Sequence, residues 1–179
     1  MGAEVVAYTA GPRNTAEERR DHGYIVPRTG DPDGTFPVAW FSGTTKESLH
    51  TFLRAGLDSL VISLPLTPAT THLFSTAEFE ILRGAFIVNI SRGKIIDQPA
   101  LVAALNQGIL RGAALDVADP EPLPADDPLW TAKNAIITPH ISGLGREYAD
   151  RAYDVFITNW ARKERGKKMV NLVDRKKGY

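Results

Sequence analysis

The chain has 179 residues, 43% hydrophobic and 23% charged, with a formal net charge of +0, which suits one globular domain of roughly 100–200 residues. Balanced charge offers no overall field to draw in nucleic acid or a membrane surface, and the absence of cysteine excludes disulfides, a thiol nucleophile and thiolate-bound metal. His22, His50, His72 and His140 lack zinc-site spacing, no apolar run nears the ~18 residues of a membrane span, and MGAEVVAYTAG lacks the form of a signal peptide, so the chain reads as soluble, cytoplasmic and metal-free.

Ala3–Tyr8 reads as a short buried strand. Thr15-Ala-Glu-Glu18 has the form of a capping box and opens a polar helix through about His22. Residues 23–44 are rich in turn formers, with Gly-Asp-Pro-Asp-Gly at 30–34, and read as an inserted loop or hairpin. Thr44-x-x-Glu47 starts a helix that Gly56 can end. Ser59–Leu64 is a continuous apolar strand stopped by Pro65. Ser75-x-x-Glu78 caps the next helix, and Ala85–Ile90 is the next strand. Asp97 and Pro99 open a helix closed by Gly108. Gly112–Val117 and Ala135–Thr138 are two further strands. Residues 144–165 form a long amphipathic helix, with Tyr148, Ala152, Val155, Phe156 and Trp160 near helical spacing.

Short apolar strands alternating with capped helices indicate βαβ units and a doubly wound parallel sheet of α/β class. In such sheets the ligand crevice lies beyond the carboxyl ends of the strands. The polar residues cluster there: Thr9–Arg13, Pro65–Thr70, Ser91–Gly93, Asp116–Glu121 and Pro139–Gly143 each follow a strand. The run AFIVNISRGKIID raises the question most directly. A buried strand has no use for a guanidinium in its interior, yet at its exit Arg92 could hold an anion.

LVISLPLTPATTHLF, FIVNISRGKIID, RGAALDVADPEPLP and NAIITPHISG resemble, in order, the signatures of the NAD(P)-dependent D-2-hydroxyacid dehydrogenases. Glu121 follows Arg92 by 29 positions and His140 follows Glu121 by 19, the intervals of that family pattern. The resemblance implies a Rossmann-like domain and hydride transfer between NAD(P)H and a 2-oxo acid or D-2-hydroxy acid. Arg92 would grip the substrate carboxylate, for which a planar bidentate fork is suited. His140 would be the acid/base, and Glu121 would bond its other ring nitrogen and fix the tautomer. The cofactor would lie along Thr9, Arg13, Leu64, Pro65, Thr70, Ile90, Ser91, Arg92, Asp116, His140 and Gly143, with Asp116 near the nicotinamide.

NAD enzymes place an acidic residue after the second strand of this fold. Here AEVVAY exits into Thr9-Ala-Gly-Pro-Arg13, a pattern similar to NADPH-using glyoxylate/hydroxypyruvate reductases, so NADP(H) is favoured. The Gly-rich turn G-x-G-x-x-G is absent, and Met1-Gly-Ala-Glu resembles the end of the helix that follows it. The resemblance therefore implies a partial NAD(P)-binding domain at 1–165, truncated at its first strand and phosphate loop. A C-terminal tail follows at 166–179, and the substrate domain is absent. Without that first helix one sheet face would expose an apolar patch. A homodimer is expected, with no nucleic-acid or membrane partner. The alternatives are an NAD(P)-sensing interaction module of corepressor type and an inactive fragment.

Overall fold

The computed structural model describes residues 2–175. Met1, where the MGAE resemblance begins, and the last four residues of the 166–179 tail lie outside that range. In chain order the elements are β1 (Val5–Thr9), α1 (Ala16–Arg19), β2 (Pro37–Ser42), α2 (Lys46–Leu53), β3 (Ser59–Ile62) and α3 (Thr76–Ile81). They continue with β4 (Phe86–Asn89), α4 (Gln98–Asn106), β5 (Gly112–Leu115), β6 (Ala135–Ile137) and α5 (Tyr148–Glu164). Two compact units result, one of residues 2–52 with 144–175 and one of residues 53–143. Among the described residues no helix is long and apolar enough to cross a membrane.

The first unit is built on β1 and β2, which pair in parallel, Ala7 opposite Trp40 and Tyr8 opposite Phe41. This corrects the reading of 23–44 as an inserted loop or hairpin. Its second half is a strand, and a hairpin partner would have run antiparallel. Pro37 is tolerated because the first residue of a strand can lack a donor, and Val38–Phe41 supplies the β-branched and aromatic side chains that favour strand. Tyr8 stacks on Phe52 of α2 at 5.1 Å, and Phe41 meets the same ring at 5.5 Å. The Tyr8 hydroxyl donates to the Gly43 carbonyl at 2.8 Å. Gly43 has φ 146, and a Cβ there would come within 2.3 Å of Ser48 Oγ, so only glycine fits the turn.

Local capping shows how far short sequence patterns reach. At α1 the expected box forms: the Glu18 amide donates to Thr15 Oγ1 at 3.2 Å, and the Thr15 amide to Glu18 Oε2 at 2.9 Å. The helix stops at Arg19, short of His22. At α2 the Thr44/Glu47 box gives way to Thr45 and Ser48, with the Ser48 amide donating to Thr45 Oγ1 at 3.2 Å. α5 begins at Tyr148 rather than Leu144 and buries none of its residues. Asn159 on α5 holds the chain that follows, exchanging hydrogen bonds with both backbone groups of Val170.

The second unit is a four-stranded parallel sheet in the order β3-β4-β5-β6. Leu60 lies opposite Ile87, and Ile87 opposite Ala113. Phe79 of α3, Leu101 and Leu105 of α4, and Leu129 from the turn Pro128–Thr131 close over these residues, all nearly sealed from solvent. Asp97 caps α4 through the Ala100 amide at 3.2 Å and accepts from the Ser75 hydroxyl at 2.9 Å, tying the starts of the two helices together. On the sheet's other face the edge strands are exposed, Val61 58% and Ile136 59%, whereas Val88 and Ala114 on the central strands are half-buried.

Candidate active site

The strands β4, β5 and β6 run in the same direction, so their exits lie along one edge of the sheet. From β4 the chain passes through buried Ser91 to exposed Arg92. The Arg92 Nη1 donates to the Ser91 carbonyl at 2.7 Å. Gly93 follows, and a Cβ on it would sit 1.9 Å from the Ala118 carbonyl oxygen. Glycine is therefore required for the loop carrying Arg92 to touch the loop carrying Glu121.

His140 leaves β6 with φ 55, a left-handed conformation uncommon for a side chain beyond glycine. Backbone outliers of this kind concentrate at functional sites. Its Nδ1 lies 3.0 Å from Glu121 Oε2. The other Glu121 oxygen accepts from the Ala118 amide at 2.9 Å, so the carboxylate is anchored before it meets the ring. Gly93 and Ala118 bring the loops that carry Arg92 and Glu121 together.

Asp116, at the exit of β5, is 5% exposed. Its Oδ1 accepts from the Thr138 hydroxyl at 2.5 Å and the Ile141 amide at 2.9 Å, and its Oδ2 from the Ser142 amide at 2.8 Å. Burial by itself pushes this carboxyl up. The hydrogen bonds from Ser142, Thr138 and Ile141 outweigh it and hold the group well below the ordinary carboxylate range. Asp116, expected beside the nicotinamide, thus spends both oxygens clasping the segment 138–142 that carries His140.

A cavity of about 690 Å³ adjoins the pair. Val117, Pro122, Leu123, Trp130, Ile137 and Pro139 give it an apolar wall, with His140 and Glu121 at its margin. Sequence reasoning missed two polar side chains near the site. Gln98 accepts from the Asp119 amide at 3.0 Å and donates to Asp127 Oδ2 at 3.1 Å, pinning the Glu121 loop at two points. Asn89 is buried at the end of β4. Its signal was available: an amide in a run of otherwise apolar residues.

The residues expected to hold a dinucleotide fall in both units. Thr9 and Arg13 belong to the first, where the Thr9 hydroxyl donates to the Gly11 carbonyl at 2.7 Å and Arg13 Nη1 donates to the Glu18 carbonyl. In the second, Thr70 donates to the Pro65 carbonyl at 2.7 Å and closes the loop after Leu64. Ile90 and Leu66 are exposed at the exits of β4 and β3, and a Cβ on Gly143 would point into open space. The glycine-rich cradle for a pyrophosphate is not in the sequence. Among the described residues no group of His, Asp and Glu side chains could hold a metal ion.

Parallel strands connected through helices, with an anchored histidine–carboxylate pair at their carboxyl edge, make a Rossmann-like α/β fold. The family model described as D-isomer specific 2-hydroxyacid dehydrogenase, NAD binding domain, matches residues 32–142. The chain belongs to that family. It is 40% identical over 134 residues to a glyoxylate reductase of Aeropyrum pernix, covering 74% of this chain and 40% of the relative. Among solved structures it is similar to a D-isomer specific 2-hydroxyacid dehydrogenase of Xanthobacter autotrophicus Py2 in complex with NADPH and MES. That likeness has TM-score 0.70 and 38% identity, over 78% of this chain and 44% of the other. A probable 2-hydroxyacid dehydrogenase of Rhizobium etli, in complex with NADP, HEPES and L(+)-tartaric acid, matches at TM-score 0.75 and 30% identity. It covers 99% of this chain and 50% of its own. The chain thus spans about half or less of the length of these relatives.

Proposed function

We propose that this chain carries the reacting groups of an NAD(P)(H)-dependent oxidoreductase interconverting small 2-oxo acids and D-2-hydroxy acids. The observation that carries the reading is the Nδ1–Oε2 contact of 3.0 Å between His140 and Glu121, on the loop that Gly93 joins to Arg92. Arg92 offers a planar fork to the substrate carboxylate, which fixes the position of C2 and its oxygen. Glu121, accepting from the Ala118 amide with one oxygen, holds Nδ1–H of His140 with the other and aims Nε2 at the substrate. In reduction His140 gives its Nε2 proton to the carbonyl oxygen as the C–H bond forms at C2. In oxidation it takes the hydroxyl proton back. A nicotinamide cofactor, held by the residues at these strand exits, would supply or accept the hydride.

The same proposal favours NADP(H). No carboxylate follows β1, and the loop that ends in Arg13 can accept a 2′-phosphate, whereas an acidic side chain would repel one. Arg13 Nη1 donates to the Glu18 carbonyl, and its guanidinium charge also acts on the Glu18 carboxylate. A homodimer is also part of the reading, supported by Tyr153, Phe156 and Trp160. These exposed rings succeed one another along α5 at centroid distances of 6.4 and 6.1 Å.

The test is consumption of NADPH and NADH by the purified protein with glyoxylate, hydroxypyruvate and longer 2-oxo acids. His140→Gln should lower kcat by roughly 10²–10⁴, and Arg92→Ala should raise KM for every 2-oxo acid. Absence of turnover with all of them would refute the reading, as would His140→Gln at wild-type kcat.

A further inference from the structure

The end of β4 carries a polar side chain where the strand pattern calls for an apolar one. Asn89 shares a face with Ile87 and is 1% exposed. A carboxamide sealed in this way is costly unless its polar atoms find partners. All of its side-chain partners lie within the next three residues. Oδ1 accepts from the Ser91 amide at 3.1 Å and from the Ser91 hydroxyl at 2.8 Å, and Nδ2 donates to the Arg92 carbonyl at 3.0 Å. The turn from β4 to Gly93 is wrapped around one buried amide. The Asn89 backbone carbonyl accepts from the Asp116 amide at 3.0 Å, so the same residue joins the exits of β4 and β5.

A residue that only ended the strand would have no need to reach past Ser91 to the carbonyl of Arg92. The far side of the turn is fixed as well, because Gly93 lies against the Ala118 carbonyl with no room for a Cβ. Arg92 is therefore held from before and after, while its guanidinium stays exposed.

We propose that Asn89 is a positioning residue whose buried carboxamide presets the Ser91–Arg92 turn, so that the Arg92 guanidinium leaves the sheet edge already oriented to clasp a carboxylate. The inference rests on the assignment of Arg92 as the carboxylate-binding residue. A preset turn matters because a loop that must be ordered on binding weakens the complex by the cost of ordering it. Displacement of a positioned group by about 1 Å can lower rate or affinity by roughly 10²-fold.

The experiment is solution NMR of the whole chain, with Asn89→Ala, Asn89→Asp and Arg92→Ala variants and oxalate as the carboxylate probe. In Asn89→Ala the Ser91 amide should exchange with solvent at least roughly tenfold faster. Heteronuclear NOEs at residues 91–93 should fall, and oxalate affinity should drop roughly 10- to 100-fold. The strand amides of Phe86 and Ala113, bonded to the Asp58 and Asn134 carbonyls, should keep their protection. Asn89→Asp keeps the acceptor for Ser91 and loses the donor to Arg92. It should restore Ser91 protection and only part of the oxalate affinity.

Order at residues 91–93 unchanged in Asn89→Ala would overturn the proposal, as would unchanged oxalate affinity in a disordered turn. If Asn89→Ala loses protection at Phe86, Asn89→Asp decides by the same measurements. Oxalate binding insensitive to Arg92→Ala would instead overturn the assignment of Arg92, and exchange at Ser91 would then judge the hold of Asn89 on the turn by itself.

Discussion

Between residues 53 and 143, side chains such as Phe79, Ile87, Leu101 and Leu129 are almost fully buried; along α5, Tyr153, Phe156 and Trp160 stand in solvent. Of the buried apolar residues among those described, all but Leu49 and Phe52 lie in the second unit. That unit closes its core around a four-stranded sheet. The first relies on two strands, one aromatic trio and polar clasps such as Asn159 on Val170. Burial of apolar area is the dominant favourable contribution to folding, so the two units draw on very different reserves. The difference bears on function. Arg92, Glu121 and His140 stand on the better-packed unit, and the proposed nucleotide-choosing residues Thr9 and Arg13 on the other.

The contrast can be broken most directly in the core. Phe79→Ala should destabilise the protein by about 3–5 kcal/mol through lost burial and the cavity left behind, read as a lowered urea midpoint. A loss under 1 kcal/mol would mean that the core of the second unit does not govern its stability.

Asp116→Asn probes the clasp under His140. Its folded-state pKa is depressed, so the charged clasp contributes its full stability above the ordinary aspartate range. That contribution is lost as pH falls below about 4. The variant should lose about 1–3 kcal/mol at neutral pH and show a flatter stability profile below pH 4. Parallel wild-type and variant profiles would show that Asp116 is not the titrating clasp.

On the first unit, Thr9→Asp with Arg13→Ala should shift the NADPH to NADH preference by roughly ten- to hundredfold. That is the weight of a hydrogen bond to a charged group at about 1.5–3 kcal/mol. The ratio of kcat/KM for the two cofactors measures it, and an unmutated protein that already prefers NADH would remove Arg13 from the site. The smallest effect is expected at Phe156→Ala: a change in stability within about 0.5 kcal/mol, as for other exposed positions, with weaker self-association by light scattering. A large loss of stability would show that α5 has a packed role which its exposure conceals.

Much of the second unit was legible in the sequence because its cues are local. Asp97 before Pro99, and an apolar run bounded by Pro65, are read within a few residues and reappear as the α4 cap and β3. Arg92, Glu121 and His140 stood out because charged or titratable groups followed apolar runs at family-like intervals. β2 was missed because its short apolar run sits behind Gly-Asp-Pro-Asp-Gly, and only its partner β1, about thirty residues earlier, makes it a strand.

The sequence by itself determined the α/β class, the order of the elements in the second unit and the chemical types that reach the carboxyl edge, since each follows from periodicity and near-neighbour hydrogen bonding. Only the tertiary structure decided that both Asp116 oxygens are spent on the segment carrying His140. It alone showed that Gln98 pins the Glu121 loop and that Gly93 lies against Ala118. These contacts join residues some 20 to 30 positions apart. Whether a buried carboxylate or amide faces a ligand or a neighbouring backbone depends on which donors packing brings within about 3 Å of it, and that distance is set by the whole fold.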